Sequence, residues 1–326
     1  MHRLDGWLPI RVYWRRAKLL VDWCWLGELR FTDPFFEQTV NQALSHPANL
    51  LFRRETPIEA LEELAAARPG LRPNGFIFHM SRSGSTLISQ MLSRLPQNLV
   101  ISEASPIDTL LRSRFEDAAV TVDQRVNWLR WLVSVLGQRR QGEQERFFIK
   151  FDCWHTLFLP LILHAFPGVP WIFVYRKPFE VLMSQHAQRG AQMIPGVLEP
   201  GLFGWDVAAV GRMRLEEYGA RVLAKICEAA VNQVRKGSGK LLNYHQLPAV
   251  VCPTLIEFWG LDCSSNDAEH MLEAARWNAK NPASLFEDDT ARKSQAANEE
   301  LREVAREWLD GSYRQLEIER QRSGIY

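Results

Sequence analysis

The sequence lacks a charge excess of either sign, because 39 lysines and arginines nearly balance 38 aspartates and glutamates over 326 residues. The net charge of +1 excludes the strong overall field with which basic proteins attract nucleic acid or an anionic membrane. A composition of 46% hydrophobic and 24% charged residues also excludes intrinsic disorder. Any anion binding must therefore depend on a few cations gathered in one place.

Cysteine is scarce, and the five residues are widely spaced: Cys24, Cys153, Cys227, Cys252 and Cys263. No C-x-x-C pair is present, which excludes the usual zinc and thiol-redox motifs. We predict free thiols in a reducing compartment. Because the first residues contain scattered charges and no apolar run of signal-peptide length, we also predict a cytoplasmic location.

Long uncharged runs are absent except for the 23 residues from Cys153 to Tyr175. This run is long enough to span a membrane, but it contains Pro160, Pro167 and Pro170, which disfavour a continuous lipid-facing helix. The pattern instead predicts a buried helix over 154–166, a turn, and a buried strand over 171–175.

Short apolar segments alternate with helical patterns through most of the chain. The strand candidates are residues 75–80, 98–103, 146–152, 171–176 and 240–245, and the last helix candidate is residues 296–320. This alternation predicts a three-layer, P-loop-like α/β fold with a central parallel sheet flanked by helices. A Pro/Gly loop near residue 70 divides residues 1–72, predicted as a mainly helical N-terminal appendage, from an α/β domain of residues 73–326.

The turn after the first of these strands has the composition of an anion-binding loop. Residues 79–86 read HMSRSGST, and a strand that passes through a small turn into a helix presents backbone N–H groups and a positive helix end to an anion. A Walker loop would have glycine at position 79 and lysine at position 85, where this chain has His79 and Ser85. The predicted anion ligands are Arg82, Ser83, Gly84, Ser85 and Thr86.

SRSGSTL resembles the 5′-phosphosulfate loop of sulfotransferases that use 3′-phosphoadenosine-5′-phosphosulfate, especially the tyrosylprotein and bacterial branch, which has arginine in this loop. A second motif of that family is an arginine at a strand end with a serine eight residues later, and VYRKPFEVLMS supplies Arg176 and Ser184. The resemblance implies that the loop binds the 5′-phosphosulfate and that Arg176 and Ser184 bind the 3′-phosphate. It also implies transfer to a small-molecule or peptide hydroxyl, with 3′,5′-adenosine bisphosphate as product and no metal.

Two more positions match the same branch by spacing. Glu103 follows Arg82 by 21 residues, and Lys150 precedes Arg176 by 26 residues. The resemblance implies that Glu103 is the catalytic base and that Lys150, together with Arg82, stabilises the transferring group. Structural alternatives are that Glu103 interacts with a helix N-terminus and that Lys150 pairs with Asp152.

Several further residues are weaker candidates. Tyr244 resembles the tyrosine of a Tyr-Glu-x-Leu pattern that reads Tyr-His-Gln-Leu here, and Arg292 and Lys293 match only the position of a basic cofactor loop. His79 is an alternative base, and His155 and His186 are candidates without specific spacing. Two other functions stay open: a small-molecule kinase with a degenerate phosphate loop, and a nucleotide-binding protein without catalysis.

Overall fold

The computed structural model describes residues 4–278, 281–285 and 299–323. Its N-terminal region contains three strands and three helices: β1 (Trp7–Arg15), β2 (Lys18–Trp25), α1 (Phe36–Leu44), α2 (Pro47–Leu51), β3 (Arg54–Pro57) and α3 (Glu59–Ala67). The three strands form an antiparallel sheet in the order β1-β2-β3. The expectation of a mainly helical appendage is therefore wrong for residues 7–25, which form a hairpin.

The turn of this hairpin explains the error. Its two residues, Arg16 and Ala17, have positive φ angles of 50° and 60°. Two-residue hairpin turns of this kind usually contain glycine or asparagine, the residues that adopt a left-handed backbone most easily. An Arg-Ala pair gives no such signal in the sequence.

Five parallel strands form the central sheet. They are β4 (Pro73–His79), β5 (Asn98–Ser102), β6 (Arg146–Lys150), β7 (Trp171–Tyr175) and β8 (Lys240–Asn243). They lie side by side in the order β5-β6-β4-β7-β8, and each neighbouring pair is parallel. The predicted α/β fold with a parallel sheet is confirmed. Because β4 lies in the middle, the loop after it has strand ends on both sides, which is where open α/β sheets bind ligands.

Helices cover both faces of this sheet. They are α4 (Ser85–Ser93), α5 (Ser105–Glu116), α6 (Val122–Leu136), α7 (Leu159–Ala165), α8 (Pro178–Ala187), α9 (Val207–Gly211), α10 (Leu215–Val234), α11 (Thr254–Phe258) and α12 (Ser265–Ala274). Short 3₁₀ helices occur at Cys153–Phe158, Ala191–Met193, Pro200–Phe203, Tyr244–Gln246 and Ala249–Val251. A small antiparallel pair, β9 (Trp277–Asn278) and β10 (Asn281–Leu285), precedes α13 (Glu299–Trp308) and α14 (Asp310–Ser323).

Alternating strand residues divide the core into two layers. Phe76 and Phe78 of β4 belong to the larger cluster, which also contains side chains of α5, α6, α7 and α10. Ile77, between them, belongs to the smaller cluster with α4, α11 and α12. Side chains of a strand point alternately to opposite faces, so the three consecutive apolar residues 76–78 of β4 are buried on both sides of the sheet.

The last predicted helix differs from the structure, whereas the uncharged run agrees with it. Within the described residues 299–323, the helix predicted over 296–320 is divided in two, because α13 ends at Trp308 and α14 begins at Asp310. The uncharged run from 153 to 175 divides as predicted into helical turns, a turn and β7. Across the described ranges, no helix combines the length and apolarity that a membrane crossing requires.

The N-terminal region shares its hydrophobic core with the sheet. Leu8, Val21 and Leu61 belong to the same buried cluster as Phe76 and Leu132. The boundary at residue 72 stays a prediction, but apolar packing is continuous across it.

Gly239 offers a test of how β7 and β8 are fixed at their starts. Its φ is +81°, and an added Cβ would lie 2.2 Å from the ring of the buried Trp171. We expect Gly239→Ala to destabilise the protein by about 1 to 2 kcal/mol through backbone strain and about 1 to 3 kcal/mol more through displacement of Trp171. Gly168→Ala is the matched control, since Gly168 has the same φ of +81° and open space around it. Urea unfolding should show the larger loss for Gly239→Ala, and equal losses would contradict the packing argument.

Candidate anion-binding active site

A pocket of about 620 Å³ lies at the carboxyl edge of the sheet, where β4, β5, β6 and β7 end. Nine of the ten predicted site residues line it: Arg82, Ser83, Gly84, Ser85, Thr86, Glu103, Arg176, Ser184 and Tyr244. The tenth, Lys150, lies behind Glu103 with its side chain fully buried. The structure thus brings together residues that are up to 162 positions apart in the chain.

The loop after β4 has a strained backbone that precedes a helix N-terminus. Ser81, Arg82 and Gly84 have φ angles of 77°, 49° and 92°, and α4 begins at the next residue. The first N–H groups of a helix have no intrahelical acceptor, so they can bind an anion. An added Cβ at Gly84 would lie 2.7 Å from Leu247 Cδ1, so glycine satisfies both the left-handed backbone and the close approach.

Hydrogen bonds from two neighbouring elements hold this loop in place. The Ser83 hydroxyl, which is fully buried, donates to the Val174 carbonyl of β7 at 2.7 Å. The Ser81 hydroxyl accepts from the Gln185 amide of α8 at 2.8 Å. Arg82 donates to the Gln188 carbonyl at 2.9 Å. Ser83 therefore anchors the loop, and the cation of Arg82 is held at the rim of the pocket.

The register of the sheet places Glu103 beside Lys150. Ser102 is the direct neighbour of Lys150 across the β5–β6 pair, and the Glu103 N–H extends this ladder by donating to the Lys150 carbonyl at 2.7 Å. Glu103 then leaves the strand with a φ of 55°. Its carboxylate accepts a hydrogen bond from the Lys150 ammonium. The Lys150 ammonium also lies 4.9 Å from the centre of the Phe35 ring.

This pairing fixes the charge of Glu103. Burial alone would raise the pKa of its carboxyl, but the Lys150 charge and the His79 hydrogen bond outweigh burial and hold the pKa below its usual value. Glu103 is therefore a carboxylate at neutral pH. The sequence offered a pair between Lys150 and Asp152 as the structural alternative, whereas the structure shows Lys150 paired with Glu103.

His79 is a hydrogen-bonded neighbour of this pair. Its Nδ1 accepts from the Ser81 N–H at 3.0 Å, which assigns the proton of a neutral ring to Nε2. Nε2 lies 3.0 Å from the Phe151 carbonyl and 3.3 Å from Glu103 Oε1. Both ring nitrogens of His79 are therefore engaged in contacts within the site.

Arg176 and Ser184 occupy the opposite side of the pocket. Arg176 directly follows β7, its guanidinium lies 4.2 Å from the centre of the Tyr244 ring, and its Nε donates to Glu180. Ser184 lines the same pocket from α8. The strand order puts β7 and β8 on one side of β4 and β5 on the other, so Arg176 and Tyr244 lie across the central loop from Glu103.

Asp152 is a pocket residue to which the sequence reasoning gave no functional role. It follows β6 by two residues, lines the pocket, and leaves 14% of its side chain exposed. Burial raises the pKa of Asp152 to about 7, and the carboxylates of Glu103 and Asp108 add to the rise, while His155 and Lys150 oppose it. The only signal in the sequence was an aspartate directly after an apolar strand.

The apolar wall of the pocket was also missed. We use this name for Leu247, Pro248, Ala275 and Trp277, which all line the pocket. Phe35, from the N-terminal region, closes the side of Lys150. These positions carry no motif, since an aromatic or leucine in a loop predicts a binding wall only once the fold is known.

Two of the candidate histidines do not line the pocket. His155 is buried away from it and lies 3.0 Å from Asp108. His186 has 49% of its side chain exposed and lies 3.5 Å from Glu216. Arg292 and Lys293 lie outside the described residues. No group of three or more histidine, cysteine or acidic side chains in the described part of the chain could hold a metal ion.

No family model matches the chain, and no curated protein matches it. Among solved structures it is similar to a sulfotransferase from Mycobacterium avium, with 13% identity, 78% of this chain and 80% of that chain covered, and a TM-score of 0.45. A sulfotransferase from Alicyclobacillus acidocaldarius has 12% identity, coverage of 77% and 96%, and a TM-score of 0.43. Retinol dehydratase in a complex with retinol and PAP has 14% identity, coverage of 79% and 86%, and a TM-score of 0.39.

The raised pKa of Asp152 predicts a pH-dependent cost to stability. Between its ordinary value of 3.8 and about 7, the folded protein keeps the proton that the unfolded chain has lost, so this residue's contribution to stability falls as pH rises. We expect Asp152→Asn to raise Tm by several degrees at pH 8 and very little at pH 4. The exposed Asp262→Asn is the control. Equal gains for Asp152→Asn at both pH values, measured by calorimetry, would contradict the assignment.

Proposed function

We propose that this protein is a sulfotransferase that moves a sulfuryl group from 3′-phosphoadenosine-5′-phosphosulfate to a hydroxyl acceptor. The observation that carries the proposal is the convergence of two motifs on one pocket. The loop at 81–86 lies at its centre, Arg176 and Ser184 lie on one side, and Glu103, paired with Lys150, lies on the other. We place the reaction in the cytoplasm, in keeping with five free thiols.

The residues present suit this donor. The loop and the start of α4 would hold the 5′-phosphosulfate, because they combine a helix N-terminus with the Arg82 guanidinium. Arg176 and Ser184 would hold the 3′-phosphate. The adenine ring would lie against Tyr244 and the apolar wall, because an aromatic base needs apolar surface beside its hydrogen-bonding edge.

When bound, the donor supplies the sulfuryl group. Glu103 is the proposed base: it takes the proton of the acceptor hydroxyl as the new O–S bond forms and the bond between sulfur and the phosphate oxygen breaks. Arg82, together with Lys150 from its buried position behind Glu103, would stabilise the negative charge that develops on the transferring group and on the departing 3′,5′-adenosine bisphosphate. The acceptor, a small molecule or a peptide, would enter beside Phe35 and Trp154, which line the pocket near Glu103.

Binding of 3′,5′-adenosine bisphosphate in the presence of a chelator tests the proposal. We expect calorimetry to show one site without added metal, and Arg176→Ala to weaken binding about tenfold to hundredfold through the loss of a charged hydrogen bond to phosphate. Arg94→Ala is the matched control, because Arg94 is exposed at the end of α4 and does not line the pocket.

Two results would oppose the proposal in different ways. Absence of binding to the wild type together with Mg²⁺-dependent ATP binding would favour the kinase alternative. Binding without turnover on any hydroxyl acceptor would favour a nucleotide-binding protein that has lost catalysis.

Glu103→Gln tests the base. The amide keeps the size of the side chain but accepts a proton poorly, so we expect cofactor affinity within about threefold of wild type and a loss of turnover of about a hundredfold or more. Asp152→Asn is the variant for comparison, and the turnover of both variants is measured in a single-turnover assay. An active Glu103→Gln beside an inactive Asp152→Asn would transfer the base role to Asp152.

A further inference from the structure

Two of the five cysteines lie in direct contact with each other. The Sγ atoms of Cys252 and Cys263 are 2.8 Å apart, although the residues are 11 positions apart in the chain. Both are partly exposed, whereas Cys24, Cys153 and Cys227 are buried, each at 3% exposure or less. These are therefore the two thiols that can reach both solvent and a partner.

The position of this pair connects it to the pocket. Cys252 lies four residues after Pro248, and Cys263 lies two residues before α12, which leads to Ala275 and Trp277. The thiol contact thus links the segment that carries Leu247 and Pro248 to the segment that leads to Ala275 and Trp277. In addition, α12 packs against α4, the helix that begins at the anion-binding loop.

We propose that Cys252 and Cys263 are a modification site at which a reversible disulfide forms and braces the apolar wall. The sulfurs are close enough to bond after a shift of less than about 1 Å, because a disulfide has an S–S length of about 2 Å. The inference stands on the thiol contact and does not depend on the proposed function.

The chemistry needs an oxidant, and a low-molecular-weight disulfide supplies it. The Cys252 thiolate attacks one sulfur of glutathione disulfide, which forms a mixed disulfide and releases one glutathione thiolate. Cys263 then loses its proton and attacks the Cys252 sulfur, which releases the second glutathione, so the two protein thiols are oxidised and one glutathione disulfide is reduced to two thiols. Burial and then the hydrogen bond with Cys252 raise the pKa of Cys263 to about 12, which disfavours Cys263 as the first attacking thiolate.

The test uses the full-length protein and glutathione disulfide at pH 8, followed by alkylation under denaturing conditions and mass spectrometry. We expect alkylation to fall from five cysteines to three, with the peptides of Cys252 and Cys263 joined and the protein two hydrogens lighter before alkylation. Cys227→Ser, which removes a buried thiol, should still form the bond. Cys263→Ser should form none and should retain glutathione on Cys252.

A second measurement does not require the variants. Oxidised wild type should have a Tm about 3 °C or more above the reduced form, because the bond restricts the unfolded chain. Amide exchange should slow in residues 247–277 and stay unchanged in β4 and β6. Five alkylated cysteines after oxidation, glutathione retained on the wild-type pair, or joined peptides from other cysteines would overturn the proposal.

Discussion

A buried ammonium at the end of a central strand is the constraint on which the site depends. Lys150 has no exposed side-chain surface, and an unpaired charge in that position would cost several kcal/mol, on the order of the desolvation of one ion. The parallel register offsets this cost, because it places Glu103 one residue beyond the direct neighbour of Lys150, where the two charges pair. His79 shares the same carboxylate and is itself held by the loop backbone. The ion pair and the anion-binding loop are therefore one connected structure.

Backbone strain is concentrated at the same pocket. Of the five non-glycine residues with positive φ among those described, two form the N-terminal hairpin turn, and the other three, Ser81, Arg82 and Glu103, lie at the pocket. Each such residue costs about 1 to 3 kcal/mol and persists only where its surroundings hold it. Here β7 holds the loop through Ser83, and α8 holds it through Gln185. These contacts fix the backbone of the loop at the pocket, and under the proposed function such a fixed arrangement of donors is what electrostatic catalysis requires.

The sequence allowed the sheet and most of the polar site to be predicted, because the signals for both lie in short segments of the chain. Each strand is a short apolar run, and the residues after it, such as Arg82, Glu103 and Arg176, must lie at one edge if the strands are parallel. Asp152 was present in the same pattern, but its raised pKa comes first from burial and then from the carboxylates of Glu103 and Asp108, which only the fold brings near. The apolar wall and Phe35 come from segments without periodic or motif signals. The N-terminal hairpin was missed because Arg16 and Ala17 do not resemble turn residues.

The contact between Phe35 and Lys150 makes the N-terminal region a part of the site. An aromatic ring attracts a cation through its face, and more strongly where water is excluded. The Lys150 ammonium has the Glu103 carboxylate and the Phe35 ring as neighbours, and the ring comes from the segment before α1. Because the hydrophobic core is also continuous between this region and the sheet, displacing the region would expose both apolar surface and the ion pair. The N-terminal region thus helps to keep water from the Lys150 ammonium, and the electrostatics of the site depend on it.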